Sequence, residues 1–417
     1  MDLVSEFSFA FNEKSAFLLF FFLIGILFSA LTLRLGLRQE VRASKWLSLL
    51  LFLCSMYITP YVMGYAGWYS GGISREILFY VPFMQVFLIG PVVYFYTKSL
   101  LNEGFTISRK ALFHFVPAIL YAFYSLVVFI TDKIVLDEFY FYADGRDKDL
   151  SDWYQAAGLI SMSLYLILSL KYYTQYRKQI FNTLSYADTV LFQWIRNFSI
   201  AFLVLIFLRV LFFITNPDWG NFGNQFWYYL SFSFVFTYVA IAGYSNVIKR
   251  VTLNESGLKP YNVFTPYREK REVIRSQLAE NQKSIDAVAT LEEPPKAQIS
   301  EEQLETWKKK LDSAMRNRLL YKNPRLNLAD VARELCTNTK MISTVVNRGW
   351  DMNFNDYVNQ FRIEVVVEKL IRGEHRDKTL LGVALESGFN SKATFNRAFK
   401  KITSNSPKEY LNSLSQK

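Results

Sequence analysis

This sequence predicts an all-α chain in two parts, a seven-helix transmembrane bundle followed by a small basic domain built from two similar helix pairs. Three observations lead there. From Ala16 to Val247, long apolar runs recur between short polar breaks, as expected of segments that must satisfy their whole backbone inside hydrocarbon. From Glu301 to Lys417, 21 Lys and Arg stand against 14 Asp and Glu, so most of the formal charge of +11 lies in the last part of the 417 residues. Within that part, "NLADVARELCTNTKMISTVVNRG" and "TLLGVALESGFNSKATFNRAFKK" follow the same plan about 52 residues apart.

A bilayer core about 30 Å thick requires about 20 mostly apolar residues in helix. The runs predict spans at Ala16–Gly36, Trp46–Met63, Leu78–Tyr96, Ala111–Thr131, Tyr154–Tyr173, Leu191–Thr215 and Phe226–Val247. Asp2, Glu6 and Glu13 precede the first run, against a lone Lys14. Cleaved signals begin with a basic flank, so this span is expected to stay. Arg34, Arg38, Arg42 and Lys45 follow the first span, Lys98, Arg109 and Lys110 the third, and Lys171, Arg177 and Lys178 the fifth. Basic loops stay in the cytoplasm, so the N-terminus is expected outside and the C-terminus inside. The loop from Asp132 to Trp153 is acidic and belongs to the outer set. Trp46, Trp68, Trp153, Trp194, Trp219 and Trp227 all fall near span ends, where aromatic belts form.

The bundle offers few polar side chains. Arg209, in "IFLRVLFFIT", lies inside the sixth span with no carboxylate inside any span to pair with it. Snorkelling outward is the expected behaviour, and a ligand or anion contact is the sharper alternative. His114, in "LFHFVPAIL", is expected to be a hydrogen-bonded structural histidine, with ligand contact or proton sensing as the alternative. Gly90-Pro91 is expected to kink the third span. The outer loops are too short for a folded sensory domain, so a signal must enter the bundle, come through the lipid or come from another membrane protein.

Composition narrows the chemistry. Two histidines and two well-separated cysteines, Cys54 and Cys336, provide neither a metal cluster nor a disulfide framework. No phosphate-binding glycine loop occurs, so no cofactor, metal or catalytic residue is expected. From Lys249 to Gln298 the apolar runs stop and Pro260, Pro266, Pro294 and Pro295 punctuate polar sequence, which predicts a tether. Within it Ile274, Leu278 and Ile285 form a stripe too brief for a sustained coiled coil. The expected domains are 1–248, 249–299 and 300–417.

In the tail, Ser300 and Gln303 have the spacing of a capping box, and Leu304, Trp307, Leu311, Met315 and Leu319 continue at helical spacing to Pro324. Next come two short helices with Val331, Leu335, Ile342, Val345 and Val346 as shared core and Asn338 as N-cap. Their outward side carries Thr339, Lys340, Ser343, Thr344 and Asn347. "NFNDYVNQFRIEVVVEKLIRG" reads as one long helix closed by Gly373. In the second pair Leu381, Val383 and Ala384 precede a turn at Gly388, Asn390 is the expected cap, and Phe395 and Phe399 face inward. Ser391, Lys392, Thr394, Asn396, Arg397, Lys400 and Lys401 are expected on the exposed side. Two such units on a rigid connecting helix suit successive major-groove faces of one duplex.

The stretch from Trp307 to Leu414 resembles the AraC/XylS-type DNA-binding domain, in which two helix-turn-helix units flank a connecting helix. "GFNSKATFNRAFKKITSNSPKEY" carries the resemblance most strongly, through the GF pair, the two inward Phe, the basic end and the Pro before the closing Tyr. By this resemblance the helices at Thr339 and Ser391 are recognition helices. Thr337 and Thr344 depart from the apolar and the longer polar residues frequent at those places. "GPVVYFYTKSL" and "LFHFVPAIL" are similar to segments of bacterial regulators that fuse a seven-helix membrane region to such a domain.

The expectation is therefore a membrane-embedded one-component transcription regulator, non-enzymatic, that binds double-stranded DNA. Lys340, Lys392, Lys400 and Lys401 are expected on phosphates, Asn396 and Arg397 on base edges. Membrane lipid, a second copy of the chain and a small-molecule or membrane-protein signal are the further partners this reading calls for. A transporter or lipid-binding protein with a regulatory tail is the main alternative, and a membrane enzyme the other.

Overall fold

The computed structural model describes residues 9–102, 104–187, 193–215, 222–255 and 299–415. The expected tether and its Ile274 stripe lie almost wholly outside these residues. Among the described residues there is no strand, and one isolated antiparallel bridge joins Leu184 to Asn327. The chain divides into two units, one of Met1–Tyr173 with Gln193–Asn262, the other of Thr174–Phe192 with Val263–Lys417.

In the first unit, α1 (Glu13–Arg38), α2 (Arg42–Tyr65), α3 (Gly72–Tyr80) and α4 (Val86–Leu101) are followed by α5 (Val116–Ile130), which a 3₁₀ segment Arg109–Phe115 leads into. Then come α6 (Asp152–Phe181), whose part from Thr174 on belongs to the second unit, α7 (Gln193–Thr215) and α8 (Phe226–Glu255). Among the described residues six helices, at Glu13–Arg38, Arg42–Tyr65, Arg109–Val135, Asp152–Phe181, Trp194–Thr215 and Phe222–Thr252, are long and apolar enough to span a membrane. α1 packs on α2 and α8 through a face of small residues that includes Gly25, Ser29, Thr32 and Gly36. Close backbone approach of this kind drives helix association where lipid removes the hydrophobic effect. There the Ser29 and Ser48 hydroxyls each donate to the other's carbonyl, at 2.9 and 2.8 Å. Phe17, Phe20, Leu23 and Leu27 stay exposed on the opposite side of α1.

The expected third span, Leu78–Tyr96, is not one helix. α3 ends at Tyr80, the backbone runs non-helically around Pro82, and α4 restarts at Val86. Proline denies the helix a donor and clashes with the preceding turn. Broken backbone at membrane depth is tolerated only where protein satisfies it, and Met84, fully buried, meets that condition. Its N–H donates to the Asp149 carboxylate at 2.9 Å and its carbonyl accepts from the Tyr154 hydroxyl at 2.6 Å. α4 continues through Pro91, and Gly90 lets Tyr165 and Ser161 of α6 approach where a Cβ would lie 2.7 Å from the Tyr165 ring.

The acidic loop 136–151 folds onto the bundle. Asp147 accepts from the Tyr69 hydroxyl at 2.5 Å and Asp149 from the Tyr121 hydroxyl at 2.6 Å. Asp132, at the end of α5, accepts from the Tyr80 hydroxyl at 3.1 Å. Phe79, Val128 and Tyr142 form a small core under the loop.

In the second unit, α9 (Glu301–Asn317) begins with the expected reciprocal cap, Ser300 and Gln303 each accepting from the other's backbone N–H at 3.2 Å. It stops at Asn317, short of Pro324. Leu319 takes a left-handed φ of 54° and is 41% exposed, so it leaves the expected apolar stripe. α10 (Leu328–Glu334) and α11 (Thr339–Trp350) form the first pair. α12 (Phe354–Ile371) connects it to α13 (Leu380–Glu386) and α14 (Lys392–Thr403), and α15 (Pro407–Ser415) closes the chain. Phe354, Tyr357, Val358 and Phe361 of α12 belong to the core of the first pair, and Ile363, Val366 and Leu370 to that of the second. Each such buried side chain contributes about 1.5–3 kcal/mol, so α12 fixes both pairs in one frame.

Candidate DNA interface and the buried arginine of the bundle

α11 starts where Asn338 caps it, its carboxamide oxygen accepting from Met341 N–H at 2.8 Å. Ile342, Val345 and Val346 are fully buried. Thr339, Lys340 and Asn347 are exposed, while Ser343 and Thr344 are half-buried. The Thr344 hydroxyl donates to the Lys340 carbonyl at 2.8 Å, and the Asn347 amide reaches Ser343 Oγ at 3.3 Å.

α14 starts one residue later than expected. Ser391, not Asn390, is the N-cap, and its Oγ accepts from Thr394 N–H at 3.2 Å. Lys392, Asn396, Arg397, Lys400 and Lys401 are exposed and Ser391 is half-buried. Thr394 is fully buried, with its Oγ1 2.9 Å from Ser391 Oγ, which overturns its expected exposure. The reason is the width of the inward arc. Thr394, Phe395, Ala398 and Phe399 are all buried, an i, i+1, i+4, i+5 face broader than the two Phe alone suggest. Lys401 pairs with Asp356 of α12 at 2.6 Å.

The turn into α14 depends on Gly388. Its φ is +97°, and a Cβ there would lie 2.2 Å from the Tyr321 carbonyl oxygen. That same carbonyl accepts from Arg362 Nε at 2.8 Å. Arg362 is 1% exposed, and its guanidinium also reaches Asn323 O at 2.8 Å, Asn359 Oδ1 at 3.2 Å, and Ser185 O and Oγ at 3.3 and 3.0 Å. Burial pushes its pKa down to about 9. Arg362 stands out little in the sequence, because α12 also carries Asp356, Glu364, Glu368 and Lys369; its place between Phe361 and Ile363 is the one local signal.

Ser185 belongs to the same unit, where the end of α6 and the loop after it meet the helix pairs. A cleft of about 950 Å³ is lined by Arg177, Lys178, Phe181, Asn347, Arg397 and Lys401, among others. It brings one expected contact of the first recognition helix together with two of the second. The Arg397 guanidinium lies 5.2 Å from the Phe181 ring centroid, and partial burial and the Arg177 charge push its pKa down.

The family model described as a helix-turn-helix domain matches residues 331–413, which span both helix pairs and α12. Residues 331–413 are an AraC-type helix-turn-helix domain. No curated protein and no solved structure matches the chain. α11 and α14 are thus the second helices of the two units of this DNA-binding domain.

In the first unit of the structure, Arg209 turns inward. It is 7% exposed and donates to Gln155 Oε1 at 2.6 Å and to the Tyr229 hydroxyl at 3.5 Å, with the Tyr228 ring 4.8 Å from its guanidinium carbon. The expected snorkelling is overturned, because α6 and α8 provide acceptors and a π-face that hydrocarbon lacks. Gln155 also donates to the Asp149 carbonyl at 2.6 Å, so hydrogen bonds run from the acidic loop to Arg209. His114 is half-buried, its Nδ1 2.9 Å from the Tyr165 hydroxyl.

Proposed function

We propose that this protein is a membrane-embedded one-component regulator that binds promoter DNA sequence-specifically with both helix-turn-helix units and takes its signal through the apolar bundle. The observation that carries this reading is the coexistence in one chain of the matched DNA-binding domain and six helices long and apolar enough to span a membrane. α4 makes the seventh crossing, its 16 residues extended by the buried backbone at Met84. Seven crossings with basic loops inside put the N-terminus outside and the DNA-binding domain in the cytoplasm. The proposed division is a bundle to residue 248, a tether over 249–299 and a DNA reader from 300.

On the DNA side, Lys340, Lys392, Lys400 and Lys401 hold phosphates, and Asn396 and Arg397 read base edges. Thr339, Ser343, Thr344 and Asn347 line the first recognition helix and Ser391 caps the second, while Thr394 supports it from within. On the membrane side, Arg209 and Gln155 are the polar centre at which a hydrogen-bonding or anionic signal acts, and a second copy of the chain supplies the paired half-site. A signal shifts the two states only by its differential affinity for them. Genome-wide crosslinking of the full-length protein to DNA tests the reading. Occupancy of a small set of promoters that share a motif is expected, and uniform or absent occupancy overturns it.

A further inference from the structure

Residues 183–187 follow directly on α6, yet they are folded into the DNA-binding unit as if they were part of it. Leu184 and Ser185 are fully buried, as is Ala187. Leu184 bridges Asn327 in antiparallel fashion, with Ser185 N–H donating to Leu326 O at 3.1 Å and Leu328 N–H to Thr183 O at 2.9 Å. The Asn355 amide donates to Leu184 O at 3.2 Å, and Arg362 holds both the carbonyl and the hydroxyl of Ser185. One turn earlier in the chain, Phe181 lies against Arg397 of the second recognition helix.

We propose that the face formed by Asn327, Asn355 and Arg362 is a docking surface whose occupant is this chain's own segment 181–187, and that duplex DNA and the docked segment exclude one another. The inference rests on the DNA-binding reading of α14. A recognition helix enters a major groove about 8.5 Å deep, so sugar-phosphate walls close along both of its flanks. The Phe181 ring, 5.2 Å from the Arg397 guanidinium, stands in the space such a wall needs.

The closed arrangement is also poised to open. Arg177 and Arg397 both line the cleft and their like charges repel, which opposes closure. Asp351 and Asp356 on the same lining offset part of that repulsion, and backbone hydrogen bonds and buried Leu184 maintain the closed arrangement. Release exposes Arg362 to water, which replaces its two bonds to Ser185. Since α6 runs without a break from Asp152 to Phe181, the segment is the direct continuation of a helix that carries Gln155, the partner of Arg209.

The test uses the full chain in lipid nanodiscs and a mixed-sequence duplex long enough for two adjacent half-sites. Amide hydrogen exchange is measured at Ser185 and Leu328 with and without duplex, beside the affinities of Leu184→Asp and Phe181→Ala. Exchange at both amides is expected to rise when duplex binds. Leu184→Asp is expected to bind about tenfold tighter, as when roughly nine in ten wild-type molecules begin closed, and Phe181→Ala is expected to gain less. Duplex binding with both amides still protected overturns the proposal, as does unchanged affinity in both variants. If neither wild type nor variant binds any duplex, the DNA-binding reading itself fails and takes the docking proposal with it.

Discussion

Arg209 in α7 and Arg362 in α12 are both buried, at 7% and 1% exposure, yet their surroundings differ in kind. Arg362 is held by the backbone carbonyls of Tyr321, Asn323 and Ser185, together with Asn359 and the Ser185 hydroxyl. Arg209 is held by side chains, the Gln155 amide and the Tyr229 hydroxyl, beside the Tyr228 ring. The carbonyls of Tyr321 and Asn323, unlike that of the dockable Ser185, cannot turn away without unfolding the domain that carries them. Side chains can exchange one partner for another, so the same residue type serves as a structural pin in one unit and as an adaptable centre in the other.

The largest effect expected from this contrast is at Arg362. Arg362→Met leaves several buried acceptors without a donor and should destabilise the DNA-binding unit by about 4 kcal/mol. Arg362→Lys should recover little, because an ammonium cannot reproduce the planar fork. Thermal unfolding followed beside duplex binding checks this, and an Arg362→Lys protein within about 1 kcal/mol of wild type would show that the backbone pin is misjudged.

Arg209→Met should cost less, about 1–3 kcal/mol for the stranded Gln155 acceptor, and should leave duplex binding in the absence of signal intact. Thermal melting of nanodisc-embedded protein measures it. Should Arg209→Met prove the more damaging of the two, the adaptable character assigned to its surroundings is wrong.

What the sequence made legible follows the same line. Local rules sufficed for the Ser300–Gln303 capping box, the Asn338 cap, α12 with its Gly373 end, and most spans, because periodicity, caps and apolar length act within a few residues. The third span failed because Pro82 breaks a run whose backbone is rescued by Asp149 and Tyr154, more than sixty positions away. Arg209 turns inward to Gln155 and Tyr229, which lie on other helices and leave no local mark. Thr394 is buried because the inward arc of α14 is wider than its two Phe. The docking of Leu184 and Ser185 joins positions some 140 to 180 residues apart, and no pattern within either segment announces it.

The acidic loop offers a smaller effect that tests another part of the bundle. Burial raises the Asp147 carboxyl above the ordinary carboxylate range, the Asp149 charge adding to it, and burial raises Asp149 as well. Facing them are the Tyr69 and Tyr121 hydroxyls and the Met84 N–H, with Lys148 between the two in sequence. The folded state therefore binds more protons than the unfolded chain above the ordinary value of 3.8. Stability should then fall as pH rises from there toward the raised folded values. Melting temperatures across this window should decline for wild type and flatten for Asp147→Asn. A wild-type profile that rises instead would mean that the pair is ionised and held by an unseen cation.

The smallest effect separates two neighbouring lysines of the second recognition helix. Lys400 and Lys401 are both exposed, but Lys401 pairs with Asp356 at 2.6 Å. An exposed pair of this kind is worth only about 0–1 kcal/mol, so phosphate can displace Asp356, though the released carboxylate then offsets part of the gain. Lys400→Ala should reduce the slope of log affinity against log salt by about one unit, and Lys401→Ala by visibly less. Asp356→Asn removes the competitor, and in that background the two lysines should contribute equally. Duplex titrations over a range of salt concentrations decide the matter. Equal slopes for the two alanine variants in the wild-type background would mean that the Asp356 pair plays no part in DNA binding.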